Sequence, residues 1–205
     1  MKKIRTIFLS GQYGSGKNTH GDFIAEKFGL IHLSFSHFLS KDPVACTYIQ
    51  LVKLVPDEDV FRILGSYPLD GYLFNGFPRT LPQLEFVLKK CQIDQIAMVY
   101  LDVVDKVAIH RMQNRLTCLV CKQASSKLKG HTVGGSCKDP NCKGVLEQRP
   151  DDTPEGIIKR TASFREKTLP IIQKAEEAGM KIFKITLTEE QPIETTREMI
   201  MHVIG

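Results

Sequence analysis

Hydrophobic positions along the chain fall into two alternating kinds of segment. Short, nearly continuous apolar runs predict buried strands at residues 3–10, 30–35, 71–77, 95–103 and 181–187. Longer stretches with helical character lie between them and predict helices at residues 18–29, 56–66, 80–91, 105–116, 153–178 and 192–204. Strands that alternate with helices predict a parallel sheet with helices on both faces, so the fold class is α/β.

Residues 117–150 interrupt this alternation, because they are rich in Cys, Gly, Lys and Ser and show little apolar periodicity. Four of the six cysteines lie here, at Cys118, Cys121, Cys137 and Cys142. Their spacing, Cys-x2-Cys followed by Cys-x4-Cys, is typical of a structural tetrathiolate zinc site. So short a segment buries little apolar surface, and a metal would replace the missing core. Disulfides are the alternative, and iron or cobalt could replace zinc.

Composition and charge exclude some partners. The chain has 205 residues, 42% of them hydrophobic, and a net charge of +5. Its Lys and Arg residues are scattered, so we expect no nucleic-acid partner. No apolar run approaches the roughly 20 residues that span a membrane. The basic start resembles a signal peptide, but its apolar stretch, Ile7 to Leu9, is too short. We therefore expect a cytoplasmic protein with no membrane partner.

The segment GQYGSGKN (11–18) has the GxxxxGK spacing of a phosphate-binding loop and lies between a predicted strand and a predicted helix. Gly11, Gly14 and Gly16 allow positive φ angles and a close approach of phosphate to the backbone. Successive N–H groups and the helix N-terminus attract anions. Lys17 would bring its ammonium group to the β- and γ-phosphates. The alternative is a Gly-rich turn with an incidental lysine.

Several motifs carry a family resemblance. The loop, extended to GQYGSGKNTH, resembles the GxPGxGKGTQ loop of adenylate kinases, and NGFPRTLPQLE (75–85) resembles their DGFPRTxxQAE segment. KLVPDE (53–58) is similar to KLVxDE, and RPDDTPE (149–155) is similar to RxDDxxE. The chain thus resembles the adenylate kinase family over nearly its whole length.

The resemblance implies a P-loop three-layer fold with a five-stranded parallel sheet, formed by residues 1–33, 56–115 and 151–205. Residues 34–55 would be a reduced insert that binds a nucleoside monophosphate, and residues 116–150 a zinc-binding lid. The implied partners are ATP and a monophosphate, with AMP expected, and the implied cofactors are Mg²⁺ with ATP and a structural Zn²⁺. The implied reaction transfers the γ-phosphoryl group of ATP to AMP and gives two ADP.

The resemblance also implies site residues. The ATP-binding set is Gly14, Ser15, Gly16, Lys17, Asn18, Thr19, Arg111 and Arg115. The AMP-binding set is Ser34, Val55, Gly76, Arg79, Gln83, Arg149 and Arg160. The catalytic set is Lys17, Arg79, Arg115, Arg149 and Arg160. The metal ligands are the four clustered cysteines. The Arg111 and Arg115 side chains are expected on one face of a helix, four residues apart. Each arginine alone would more often be a surface residue.

Some positions depart from the family pattern. Asn75 replaces an aspartate that helps to hold the water shell of Mg²⁺, and an amide offers a hydrogen bond but no charge there. Ser40 stands where an arginine contacts the acceptor phosphate, and Phe35 also differs. Two alternatives follow: a kinase for a different monophosphate, or a nucleotide-binding protein with weak or no kinase activity.

Overall fold

The computed structural model describes residues 3–51, 53–65, 67–121 and 123–205. In chain order, the strands are β1 (Thr6–Gly11), β2 (Ile31–Ser34), β3 (Tyr72–Asn75), β4 (Ile96–Val103), β5 (Arg115–Cys118), β6 (Ala124–Ser126), β7 (Leu146–Glu147) and β8 (Lys181–Leu187). The helices are α1 (Lys17–Phe28), α2 (Phe35–Leu39), α3 (Pro43–Gln50), α4 (Asp57–Leu64), α5 (Leu81–Lys90), α6 (Asp105–Gln113), α7 (Pro154–Ser163), α8 (Leu169–Glu177) and α9 (Ile193–Ile204).

The central sheet has five parallel strands in the order β2-β3-β1-β4-β8. This confirms the predicted α/β fold with its five-stranded sheet. Because the strands are parallel, their carboxyl ends lie at one edge, where ligands bind in such sheets. β1 and β3 are neighbours, with Leu9 opposite Asn75, so the loop after β1 lies beside the end of β3.

Alternate residues of β1 face the two helical layers that enclose the sheet. Ile7 and Leu9 belong to a core that includes side chains of α1, α6 and α9. Phe8 belongs to a second core, with side chains of α4, α5 and α8. All three β1 side chains are fully buried. Burial on both faces explains why the strands appear in the sequence as nearly continuous apolar runs.

One helix boundary corrects the sequence prediction. The helix expected over residues 105–116 ends at Gln113, and Arg115 begins strand β5. The Asn114 side chain donates a hydrogen bond to the carbonyl oxygen of His110 at 2.9 Å, which satisfies an acceptor of the last turn. The expectation that Arg111 and Arg115 share a helical face is therefore wrong.

The other helices lie close to their predicted positions. The predicted helix at 56–66 corresponds to α4, although its residue 66 lies outside the described residues. The predicted helix at 153–178 consists of α7 and α8, joined by a π-helical turn at Phe164–Thr168. Thr153 caps α7 by accepting a hydrogen bond from the N–H of Gly156.

Two smaller units interrupt the core. Helices α2 and α3 lie between β2 and α4, and Asp42 caps α3 by accepting hydrogen bonds from two backbone N–H groups. The second unit is an antiparallel sheet of order β6-β5-β7. Its small core contains Leu116, Cys118 and Leu146, with Cys137 and Cys142 packed against it. Among the helices that the structure describes, none is long and apolar enough to cross a membrane.

Candidate active site

A cleft of about 610 Å³ opens at the carboxyl edge of the central sheet. Its walls come from the phosphate loop, α6, β6 of the small sheet and the segment 190–196 before and at the start of α9. The predicted site residues that line it are Gly14, Gly16, Lys17, Asn18, Thr19, Ser34, Gly76, Arg79, Arg111, Arg115 and Arg149. Ser15, Val55, Gln83 and Arg160 are buried and are not among the residues that line the cleft.

The phosphate loop needs glycine for two reasons. Gly14 and Gly16 have φ angles of +80° and +94°, which other residues rarely adopt. A Cβ atom on Gly14 would also overlap the carbonyl oxygen of Ala108 in α6. The loop therefore packs against α6 without side chains in the way, and α1 begins directly after it at Lys17.

Lys17 lies folded over its own loop. Its Nζ donates hydrogen bonds to the carbonyl oxygens of Gly11 at 2.5 Å and Gln12 at 2.8 Å. Burial, together with the positive charges of Arg79 and Arg115, lowers the pKa of Lys17 to about 7. A phosphate group would offset both effects, so this lysine is suited to an anionic ligand.

Two aspartates with buried side chains hold three of the four arginines of the predicted catalytic set. Asp152 accepts hydrogen bonds from Arg115 at 2.8 and 2.6 Å and from Arg160 at 2.6 Å. Asp151 accepts from Arg160 at 2.8 Å and from Arg149 at 2.9 and 3.1 Å. Burial raises the pKa of Asp151, but Arg149 and Arg160 outweigh it and hold the pKa below its usual range. Three guanidinium groups thus share two carboxylates, which leaves a net positive charge.

Tyr13 links this cluster to the phosphate loop. The Arg160 guanidinium carbon lies 4.9 Å from the Tyr13 ring centroid, and Lys17 Nζ lies 5.9 Å from it. Such cation–π contacts are stronger where water is excluded. Tyr13 stands where the family loop GxPGxGKGTQ has its proline, and an aromatic residue at that position was the available signal in the sequence.

Glu190 is another site residue that sequence reasoning missed. It accepts hydrogen bonds from Arg111 Nε at 3.1 and 2.9 Å, while Arg111 Nη1 donates to the carbonyl oxygen of Gly14 at 3.4 Å. The pair therefore connects α6 to the segment before α9 and to the phosphate loop. No local motif indicated this pair, because Glu190 is 79 residues from Arg111.

Arg79 is held by its own turn. Its Nε donates a hydrogen bond to the carbonyl oxygen of Gly76 at 2.6 Å, and a Cβ atom on Gly76 would lie 2.7 Å from Arg79 Nη2. Gly76 is therefore needed for the close approach of this guanidinium group. Within the described ranges Arg79 forms no ion pair with a carboxylate, so its charge faces the cleft without a neutralising partner.

Gln83 is positioned differently from the other predicted site residues. Its side chain is only 3% exposed. Its Oε1 accepts a hydrogen bond from the N–H of Arg79 at 2.7 Å, and its Nε2 donates to Asp57 at 2.8 Å. Both ends of the amide therefore have partners inside the protein. Recognition of a base by Gln83 stays a prediction. For that role, the amide would have to exchange its bonds to Arg79 and Asp57 for bonds to the base.

The four cysteines Cys118, Cys121, Cys137 and Cys142 converge on one point. All four Sγ atoms lie within 4.8 Å of one another. The Sγ–Sγ distances are 3.7 Å for Cys118 and Cys142 and 3.5 Å for Cys121 and Cys137. Tetrahedral zinc, with Zn–S bonds of about 2.3 Å, separates its sulfurs by about 3.8 Å, whereas disulfide sulfurs are about 2.05 Å apart. The residues fit zinc, and the disulfide alternative is wrong for this structure.

Backbone geometry around Cys118 favours a thiolate. Burial opposes its ionisation, but hydrogen bonds from the N–H groups of Cys121 and Val120 outweigh burial and lower its pKa to about 6. A Cβ atom on Gly144 would overlap the Cys118 sulfur, so this position also needs glycine.

A phosphate loop between a parallel strand and a helix, with several cations at the same cleft, places the protein in the class of P-loop nucleotide-binding proteins. The family model described as Adenylate kinase matches residues 9–180. The chain belongs to the adenylate kinase family.

Curated relatives extend the similarity beyond the matched region. A protein named Adenylate kinase from Mesomycoplasma hyopneumoniae is 31% identical over 209 residues, and the alignment covers 96% of each chain. One from Ruminiclostridium cellulolyticum is 30% identical and covers 97% of this chain and 99% of the relative. One from Methanothrix thermoacetophila is 32% identical, with 85% and 87% covered.

Proposed function

We propose that this protein is a nucleoside monophosphate kinase that transfers the γ-phosphoryl group of ATP to AMP. One observation carries the proposal most directly: Lys17, Arg79 and Arg115 are close enough for the two arginines to depress the pKa of the lysine. Three mutually repelling cations at one cleft are stabilised by a polyanionic ligand. The full-length similarity to proteins named Adenylate kinase supports the same conclusion.

In this proposal, the donor nucleotide lies on the phosphate loop. Backbone N–H groups of the predicted set Gly14–Thr19 would contact the phosphates, and Lys17 would release the loop carbonyls to reach them. Arg111 and Arg115 would line the donor side, with Arg111 already fixed by Glu190. Bound with ATP, Mg²⁺ would neutralise phosphate charge.

The transfer itself needs position and charge, with no covalent protein intermediate. Lys17, Arg79, Arg115, Arg149 and Arg160 would surround the transferred group and stabilise the charge on its oxygens. Asp151 and Asp152 would hold three of these arginines in place before the substrate arrives. The side chains of Asp151 and Asp152 are 7% and 0% exposed, so water competes little for these bonds.

The acceptor would bind near Ser34, Val55, Gly76, Arg79 and Gln83, with Arg149 and Arg160 at its phosphate. Arg79 can present a planar guanidinium group to that phosphate. The base is the open part of the proposal, because the Gln83 amide is hydrogen-bonded to Asp57 and to the Arg79 backbone. This observation favours a second candidate, a kinase for a monophosphate other than AMP.

The small sheet at residues 116–150 would act as a lid that closes over the donor, and residues 34–55 as the acceptor insert. Zinc held by Cys118, Cys121, Cys137 and Cys142 would stabilise the lid and would take no part in the transfer. We expect about one zinc per chain by elemental analysis. Metal-free native protein with four titratable lid thiols would contradict this assignment.

A coupled assay tests the function. Purified full-length protein is given ATP, Mg²⁺ and one monophosphate at a time: AMP, GMP, CMP or UMP. We expect ADP formation to be fastest with AMP. Preference for another monophosphate would select the second candidate. ATP binding without turnover on any acceptor would contradict the kinase assignment.

A further inference from the structure

A chain of polar side chains runs from the surface of α1 to the cleft and is independent of the arginine cluster. Asn75, at the end of β3, donates through Nδ2 to Asn18 Oδ1 at 2.7 Å and contacts His32 Nε2 at 3.1 Å. The other nitrogen of His32, Nδ1, lies 2.7 Å from a carboxylate oxygen of Asp22. Three structural elements, α1, β2 and β3, thus meet in one hydrogen-bonded line.

The line has a definite direction. The Asp22 carboxylate accepts hydrogen bonds, so His32 Nδ1 carries the hydrogen and Nε2 is left as an acceptor. Asn75 Nδ2 has two hydrogens, and its contacts with Asn18 and His32 use both. In the described part of the chain, Asn75 Oδ1 accepts no hydrogen bond. Because Asn75 lines the cleft, that oxygen is the atom left to face a ligand.

Local structure makes room for the imidazole ring. A Cβ atom on Gly21 would overlap the His32 ring, so a larger residue there would displace it. The His32 side chain is 14% exposed, whereas that of Asp22 is 89% exposed, so the contact between His32 and Asn75 is the one shielded from water. Asn75 itself is buried, at 5% exposed. A buried amide with both donors occupied has one stable orientation.

We propose that Asp22 and His32 are positioning residues that orient the Asn75 amide, so that its oxygen accepts a hydrogen bond from a water molecule bound to the Mg²⁺ of the nucleotide. The inference rests on the proposed function. It also explains how a neutral residue serves at this place. Without His32, the Asn75 amide can rotate and present its N–H groups, which repel a hydrated cation.

The test compares two His32 variants. His32→Gln retains an acceptor for Asn75 and a donor for Asp22, whereas His32→Leu retains neither. His202→Leu, at an exposed position on α9, is the control. Calorimetry measures ATP affinity with Mg²⁺ and with EDTA. We expect all variants to bind ATP equally in EDTA. The gain in affinity from Mg²⁺ should fall about fivefold in His32→Leu and remain in His32→Gln.

Kinetics add a second readout. In His32→Leu, kcat should fall about tenfold while the KM for the acceptor changes less than threefold, and His32→Gln should recover most of the rate. Equal losses in both His32 variants, or no loss in either, would overturn the proposal. Gly21→Ala should reproduce the Leu variant, because it displaces the ring in a helix that tolerates alanine.

Nuclear magnetic resonance of the unsubstituted full-length protein keeps the proposal testable if a variant does not fold. We expect a scalar coupling across the hydrogen bond between Asn75 Nδ2 and His32 Nε2. A protonated Nε2, or an Asn75 amide without that coupling, would contradict the orientation. These measurements and the EDTA comparison do not require turnover. Failure of the kinase assignment is therefore distinguishable from failure of this inference.

Discussion

The proposed donor and acceptor sides of the cleft differ in how their polar groups are satisfied. On the donor side, the hydrogen bonds of Lys17 to described residues all go to its own loop, and a bound phosphate can replace those contacts. On the acceptor side, Gln83 is bonded to Asp57 and to the Arg79 backbone at a buried position. Ligand binding costs less where the displaced bonds are local and exchangeable. The donor side is therefore prepared for phosphate, whereas the acceptor base requires rearrangement.

The largest effect should come from the donor side. We expect Lys17→Met to reduce kcat by about 10³-fold, because a cation at the transferred phosphoryl group is lost. Circular dichroism should show an intact fold, since the folded protein already disfavours a charge at this position. Lys159→Met, at an exposed position on α7, is the matched control and should retain full activity. Retained activity in Lys17→Met would refute the loop assignment.

The second effect concerns the arginine cluster between the two sides. Asp152→Asn removes the charge that holds Arg115 and Arg160 together in a buried site. We expect kcat to fall about 10- to 100-fold, as for residues that orient catalytic groups. The free energy of unfolding should fall by about 3 kcal/mol.

Two measurements check the Asp152 prediction: steady-state kinetics and urea denaturation. Glu177→Gln is the control, because its ion pair with Lys174 is exposed and screened by water, so its loss should change stability little. If Asp152→Asn loses stability but keeps its kcat, then the aspartate serves the fold and not the transfer.

The sequence predicted the fold well, for physical reasons, and it placed a glycine-rich loop where the structure has one. Strands of a parallel sheet are buried on both faces, so each appears in the sequence as a short apolar run. The phosphate loop needs glycines at fixed spacing. The cysteine spacing predicted a cluster that the structure confirms. Local signals failed where partners are distant. Glu190 and Arg111 have no common motif and lie 79 residues apart. The end of α6 was missed for a different reason, because it involves a local hydrogen bond from the Asn114 side chain to His110.

The acceptor side shows the same limit. The motif around Gln83 predicted a base-reading amide, and that role stays a prediction. The structure shows that Asp57, 26 residues away, accepts a hydrogen bond from that amide. A pairing of this kind depends on how α4 packs against α5, which no local pattern records. The motif therefore drew attention to Gln83, but the hydrogen-bond partners of its side chain could not be predicted from it.

A third prediction tests this acceptor side directly. If Gln83 reads the base, Gln83→Ala should raise the KM for AMP about tenfold and leave the KM for ATP within twofold. If its bonds to Asp57 and Arg79 are its main role, the KM values for all monophosphates should change together and stability should fall by about 1–2 kcal/mol. Asn114→Ala, which affects the end of α6, is a control for a lost side-chain hydrogen bond.

The smallest predicted effect is the uptake of a proton by Lys17 when ATP binds. In the free protein, burial with Arg79 and Arg115 lowers the pKa of Lys17 to about 7. Bound phosphate should raise it, so ATP binding should take up close to one proton at about pH 8.5 and little at pH 6. ATP affinity should therefore weaken as the pH rises above 7. Stability of the free protein should move in the opposite direction, rising from about pH 7 to about pH 10.4, because the unfolded lysine binds a proton that the folded one has lost.

Calorimetry in two buffers with different ionisation enthalpies measures this proton uptake. Lys17→Arg is the matched control, because a guanidinium group keeps its proton across the whole range. It should bind ATP with the same heat in both buffers at pH 8.5, after the uptake by ATP itself is subtracted. Buffer-independent heat in the unsubstituted protein would show that Lys17 is fully charged before ATP arrives. The donor side would then attract phosphate through three permanent cations, without a proton that accompanies the ligand.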